Sequence, residues 1–258
     1  MKQLIRLTIL FFACAALVLT AVAGPEPISS GKEMKQVAPA PAPECNWTGF
    51  YIGLNVGGQF GHSETFDLDH FDFNRDNAEW GYSESGVVAS GELGYNFQWN
   101  RIVIGPEFDL GYMNLEGSAN PKPDNPVFNG NRGETDSDFY TTLRGRIGFT
   151  LDCWLIYATG GAIGVNYSTR MIDNCNTGPC GPFLINTSRT DFDWGYTVGG
   201  GVERLIGRHW SLKAEYLFFA LDKQDFSGFE TGVGVAAPFH FQAETEGHIV
   251  RAGLNYKF

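Results

Sequence analysis

The sequence predicts an all-β chain, an eight-stranded antiparallel up-and-down barrel that crosses a membrane. Three observations predict it. Eight strand-like segments lie between Trp47 and Phe258, and apolar residues recur with period two in seven of them. The connections between those segments alternate strictly between short and long. One face of each readable strand is large and apolar without charge, while the other carries glycine and charges of both signs.

The elements justify themselves in chain order. Lys2 and Arg6, the apolar run 7–22 and Ala21-Val22-Ala23 before Gly24 predict a secretory signal peptide over 1–23. The run is shorter than the ~20 residues a membrane helix needs, which disfavours an uncleaved anchor. Cys14 as a lipidation site is disfavoured too, because the apolar run continues beyond it. Residues 24–46 include "VAPAPAPE", an extended Pro/Ala-rich linker expected in the periplasm. The barrel is expected over 47–258. Removing Lys2 and Arg6 from the 18 basic residues leaves 16 against 29 acidic ones, a formal charge of −13, so nucleic acid is not an expected partner.

In "WTGFYIGLNVGGQF", Phe50, Ile52, Leu54 and Val56 share a face opposite Gly49, Tyr51, Gly53, Asn55 and Gly57. The second strand sets Val87, Leu93 and Phe97 against Ser90, Glu92 and Asn96. In the third, Ile102, Phe108 and Leu110 oppose Glu107 and Asp109. Leu143, Ile147 and Phe149 of the fourth oppose Arg144 and Arg146. Residues 154–166, the fifth strand, are apolar on both faces and their orientation stays open. The sixth sets Trp194, Tyr196 and Val198 against Glu203, and the seventh Leu212, Tyr216 and Phe218 against Lys213 and Glu215. Val250, Leu254, Tyr256 and Phe258 of the last strand oppose Arg251. Short turns are expected near Asn100, at Leu151-Asp152 and at "LIGRH". Long connections are expected over about 61–85, 113–138, 167–192 and 220–247, which would count against a soluble domain but suit short periplasmic turns and long external loops.

The face pattern decides between classes. A soluble lipocalin-like carrier or a sandwich puts its apolar face inside. Here the charged face is the Gly-rich one, which fits a narrow lumen, and charge on the lipid face would cost ~2–4 kcal/mol for Arg or Lys. A lumen network is expected among Glu92, Glu107, Asp109, Arg144, Arg146, Glu203, Lys213, Glu215 and Arg251, closing a barrel only wide enough for side chains. Cys175 and Cys180 in "CNTGPC" suit a local disulfide. Cys45 and Cys153 could pair on the periplasmic side, although strands one and five lie across the barrel from each other. Four cysteines allow three connectivities, and all stay open. No His lies at zinc-ligand spacing near them. "ETFDLDHFDFNRDN" reads as a solvated hairpin extension rather than a divalent-cation site, since EF-hand spacing is absent. An enzyme would need a constellation around His62, His70, His209, His240 or His248. His62-Ser63-Glu64 is only a sequence triplet. No catalytic residue, metal or cofactor is expected.

The ordered set "WTGFYIGLNVGGQFG", "GELGYNFQ", "GPEFDLGY", "LRGRIGF", "YATGGAIG", "GYTVGGGVE", "KAEYLF" and "AGLNYKF" resembles the porin-like outer-membrane β-barrel family, related to OmpA-type eight-stranded barrels. The resemblance covers about 47–258. It implies an outer-membrane location, periplasmic termini and a C-terminal assembly signal at Tyr256 and Phe258 read by the barrel-assembly machinery. Outer-membrane lipid and lipopolysaccharide are the expected surroundings, and the external loops are expected to meet an unidentified ligand. Family members are similar to surface antigens, structural barrels and, sometimes, narrow pores for ions or small solutes. Peptidoglycan anchoring is not expected, because the sequence stops at the barrel.

Overall fold

The computed structural model describes residues 45–68, 79–119, 132–175, 183–229 and 238–258. Its strands are β1 (Gly49–Asp67), β2 (Glu79–Trp99), β3 (Ile102–Ala119), β4 (Arg132–Leu151), β5 (Trp154–Cys175), β6 (Phe183–Leu205), β7 (Trp210–Leu221), β8 (Gln224–Phe229) and β9 (Pro238–Lys257). Each pairs antiparallel with its neighbour, and β9 closes the sheet by pairing with both β7 and β1. β8 continues the line of β7 beyond Asp222-Lys223 and pairs with the upper part of β9. The nine elements therefore make an eight-stranded closed barrel. Through the apolar belt closure leaves no unpaired edge, as lipid requires, while at the hairpin end β8 pairs with β9 alone.

The turns fall where the short connections were expected. Asn100 and Asp152 take positive φ of 54° and 52°, and Asn and Asp are the non-glycine residues that tolerate this region. Gly207 serves the β6–β7 turn with φ of 91°. The opposite end differs from the expectation. Strand structure occupies much of the four long connections, with β1 reaching Asp67, β3 Ala119 and β5 Cys175 and with β8 inside the fourth. The strands continue above the apolar belt through largely polar sequence, as in "HSETFD" of β1. Most of "ETFDLDHFDFNRDN" lies outside the described residues, as do Cys180 and His70.

The outer wall is apolar. Phe97, Trp99, Trp154, Trp210 and Phe258 stand exposed toward the turn end, and Phe60, Tyr112, Phe139, Phe192 and Trp194 toward the hairpin end. Leu54, Leu93, Ile104, Leu143, Ile147, Val198 and Leu254 fill the band between. Aliphatic wall between two aromatic girdles matches a bilayer, with aromatics at the two interfaces. The girdle side chains brace one another: Phe192 meets Trp194 edge-on at 5.2 Å, and Tyr256 meets Trp210 and Phe258 at 5.0 and 5.2 Å. Phe258 does not fray, because its backbone N–H donates to the Phe50 carbonyl at 3.0 Å across the β1–β9 seam.

Leu54 tests this wall, being 73% exposed in the middle of the band. At an exposed position of a soluble barrel, Leu54→Arg would be nearly neutral. In a bilayer it is expected to lower folding free energy by ~2–4 kcal/mol, measured by reversible denaturant titration in lipid vesicles.

Candidate functional site: the barrel lumen

Inward-facing side chains fill the barrel in three layers. At the turn end, the segment before β1 crosses the mouth. Cys45 is disulfide-bonded to Cys153 of the β4–β5 turn, with Cα atoms 5.2 Å apart. Trp47 is buried with Val103, Leu155, Tyr157 and Leu205. Its backbone N–H donates to Gln98 Oε1 at 2.7 Å, and Gln98 N–H donates to Thr48 Oγ1 at 3.0 Å. The objection that strands one and five lie on opposite sides is met by this crossing: Cys45 sits on the traversing segment, ahead of β1.

The middle layer holds every residue expected in the charge network, and all nine are buried. Arg144 is the hub. Its guanidinium donates to Glu107, to Asp109 Oδ2 at 2.6 Å and to Glu215 Oε1 at 3.3 Å. Arg251 binds Asp109 Oδ2 at 3.1 Å, and its Nε donates to Glu215 Oε2 at 2.7 Å. Arg146 reaches Glu203 Oε2 at 3.0 Å and Glu107 Oε2 at 3.4 Å. Lys213 pairs with Glu92 and lies 3.8 Å from Glu107. These bridges tie β2, β3, β4, β6, β7 and β9 across the lumen.

Neutral groups complete the layer. Tyr51 and Tyr157 donate to Glu107 Oε2 at 2.7 Å and to Glu215 Oε1 at 2.8 Å. The Arg146 guanidinium carbon lies 4.6 Å from the Tyr51 ring and 5.3 Å from the Tyr157 ring, a cation–π contact on each side. Asn96 accepts from Arg146 Nε at 2.8 Å; Ser211 and Asn255 donate to Glu203 Oε1 at 2.5 and 2.9 Å. Glycines make the room: a Cβ at Gly94 would stand 2.2 Å from the Tyr51 ring, and one at Gly201 would stand 2.7 Å from the Tyr157 hydroxyl. Glu92, Glu107 and Asp109 bring carboxylate oxygens within 4.8 Å of one another. Lys213, Arg144 and Arg251 already hold those groups, so a metal ion would have to displace cations the barrel itself supplies.

The third layer, toward the hairpin end, is apolar: Val88, Met113, Tyr140, Ile163, Val165, Leu217, Phe219 and Ile249 are buried together. Above it Ser63, Tyr167 and Thr245 share hydroxyl hydrogen bonds of 2.9 to 3.1 Å. Sequence reasoning missed this layer. In β5 both faces are apolar, and Ile163 and Val165 proved to point inward. The signal for Leu217 and Phe219 was present, since they continue the inward parity of Lys213 and Glu215. The tyrosine and asparagine partners were equally legible, as Tyr51 and Asn96 share the glycine face. Cys175 ends β5, and its proposed partner Cys180 lies outside the described residues. His209 Nδ1 contacts the Lys257 carbonyl at 2.9 Å, His248 Nδ1 the Tyr216 hydroxyl at 2.7 Å, and His62 lies 3.4 Å from Glu64 on the outer wall, while His240 stands opposite Ser227 in the β8–β9 register.

A closed antiparallel barrel with an apolar, girdled exterior and a side-chain-filled interior defines an outer-membrane barrel protein. The profile described as "Outer membrane protein beta-barrel domain" matches residues 36–258, and the chain belongs to that family. It is 31% identical over 227 residues to the 31 kDa outer-membrane immunogenic protein of Brucella melitensis, covering 85% of this chain and 87% of that one. It is 29% identical over 185 residues to a 22 kDa outer membrane protein of Rhizobium leguminosarum, covering 71% and 69%. Among solved structures it is similar to the outer membrane protein OprG from Pseudomonas aeruginosa, with a TM-score of 0.49 and 12% identity over 83% of this chain and 98% of that one.

Arg144→Ala leaves Glu107, Asp109 and Glu215 short of their shared cation. It is expected to destabilise the barrel by ~3–5 kcal/mol, read as a lower temperature for loss of the compact band on unheated gels. The exposed pair Arg189–Asp191 provides the contrast: Arg189→Ala is expected to cost ~0–1 kcal/mol.

Proposed function

We propose that this protein is a closed outer-membrane scaffold, without catalytic activity, that contributes to envelope integrity and presents its hairpin extensions to the outside. In this reading residues 1–23 are cleaved on export, 24–46 form the periplasmic linker, and the short turns and both termini face the periplasm. The barrel-assembly machinery reads Tyr256 and Phe258. Lipopolysaccharide surrounds the outer half of the wall, and the extensions engage a ligand yet to be identified.

The observation that carries the closed state is the middle layer. Four cations bridge five carboxylates across the lumen, so the side chains of this layer hold one another in the space that an ion would have to cross. Apolar layers above and below add a second barrier, since a hydrated ion entering them loses its water without replacement. The names of the Brucella relatives, outer-membrane immunogenic proteins, support surface presentation by the extensions. A narrow pore is the competing reading, in which the same network would act as a gate.

Single-channel recording of the refolded mature protein in a planar bilayer tests the proposal. A silent bilayer is expected from protein that still migrates as a folded barrel. Stable unitary steps that vanish when Arg144 or Arg251 is replaced would establish the pore instead.

A further inference from the structure

A charged side chain on the lipid-facing wall needs an explanation. Among the described residues, the outward strand positions of the apolar band carry no charge until its turn end, where Arg204 stands exposed on β6. Its cross-strand neighbours are Trp154 on β5 and Leu212 on β7, so neither side offers a carboxylate. Its guanidinium carbon lies 5.1 Å from the Trp154 ring. Beside it lies a cavity of about 630 Å³ whose lining includes Trp154, Val202, Ile206, Leu212 and Ala214 together with Arg204 and Lys213. Arg101 of the β2–β3 turn, over the Phe149 ring of β4 at 6.0 Å, repeats the arginine-on-aromatic arrangement at the same end of the barrel.

We propose that the Arg204–Trp154 pair and the adjoining cavity form a seat for one anionic phospholipid, its phosphate on the guanidinium and an acyl chain along the apolar lining. The chemistry matches part by part. A planar guanidinium presents paired donors to a phosphate, and at the membrane interface a long arginine reaches the headgroup level while its stem stays in hydrocarbon. Trp is the residue most at home at that depth. The seat takes phospholipid rather than the phosphates of lipid A because the turn end lies in the inner leaflet. That assignment rests on the orientation given under Proposed function.

The test uses the whole mature protein refolded in a neutral detergent. Retained lipid is counted by native mass spectrometry during titration with phosphatidylglycerol, phosphatidylcholine or lipid A. Preferential retention of a single phosphatidylglycerol is expected. Arg204→Gln should weaken it about fivefold, the effect of the ~1 kcal/mol that one basic residue contributes near an anionic lipid surface. Arg204→Lys, which keeps the charge and loses the planar fork, should fall between. Equal phosphatidylglycerol retention in wild type and Arg204→Gln would overturn the seat. Preference for lipid A through Arg204 would also overturn it, and would reverse the orientation as well. Bilayer current reads the lumen and not the wall, so conducting protein that still retains phosphatidylglycerol through Arg204 would defeat only the closed state.

Discussion

Everything in this barrel depends on where its charge can go. Lipid surrounds the wall, so ionised groups are expensive outside. Eight strands leave an interior only as wide as the side chains that fill it. Charge placed inside must therefore be met by opposite charge across the lumen, because an unpaired buried ion costs far more than the pair gains. The Arg144 hub, with Glu107, Asp109 and Glu215 from two other strands, is that constraint in its most concentrated form. The same bridges link strands far apart in sequence, so the network also fixes which strands face each other.

The remaining features adjust to this layer. Gly94 and Gly201 give Tyr51 and Tyr157 space to lie against Arg146. The two apolar layers flank the bridges on either side, and a low local dielectric strengthens such contacts. The Cys45–Cys153 bond secures the segment that carries Trp47 over the turn-end mouth, closing a loop of 108 residues and so restricting the unfolded chain.

Much of this was legible in the sequence, for a physical reason. A strand's period is two, so parity alone assigned Glu92, Arg144, Lys213 and Arg251 to one face. The absence of charge on the other face then assigned that face to lipid. Three things were not legible. The strand ends were set too short, because above the membrane both faces become polar and the contrast that marks a strand disappears, as in β5 beyond Tyr167. The orientation of 154–166 depended on neighbours, since Ile163 and Val165 face in only because β4 and β6 fix their register. The Trp47 plug involves a short segment crossing the mouth, and no periodicity encodes such a crossing.

The most direct test of a sealed lumen asks whether a small solute reaches its interior. Thr197 points inward and is fully buried, and Thr197→Cys is close to it in size. The variant, folded in vesicles, would be treated with a small charged thiol reagent, and modification at position 197 would be read by mass spectrometry. The sealed barrel predicts no labelling over hours and complete labelling after unfolding. Modification of the folded protein at the rate of an exposed thiol would contradict it, and the lumen would then be an open path.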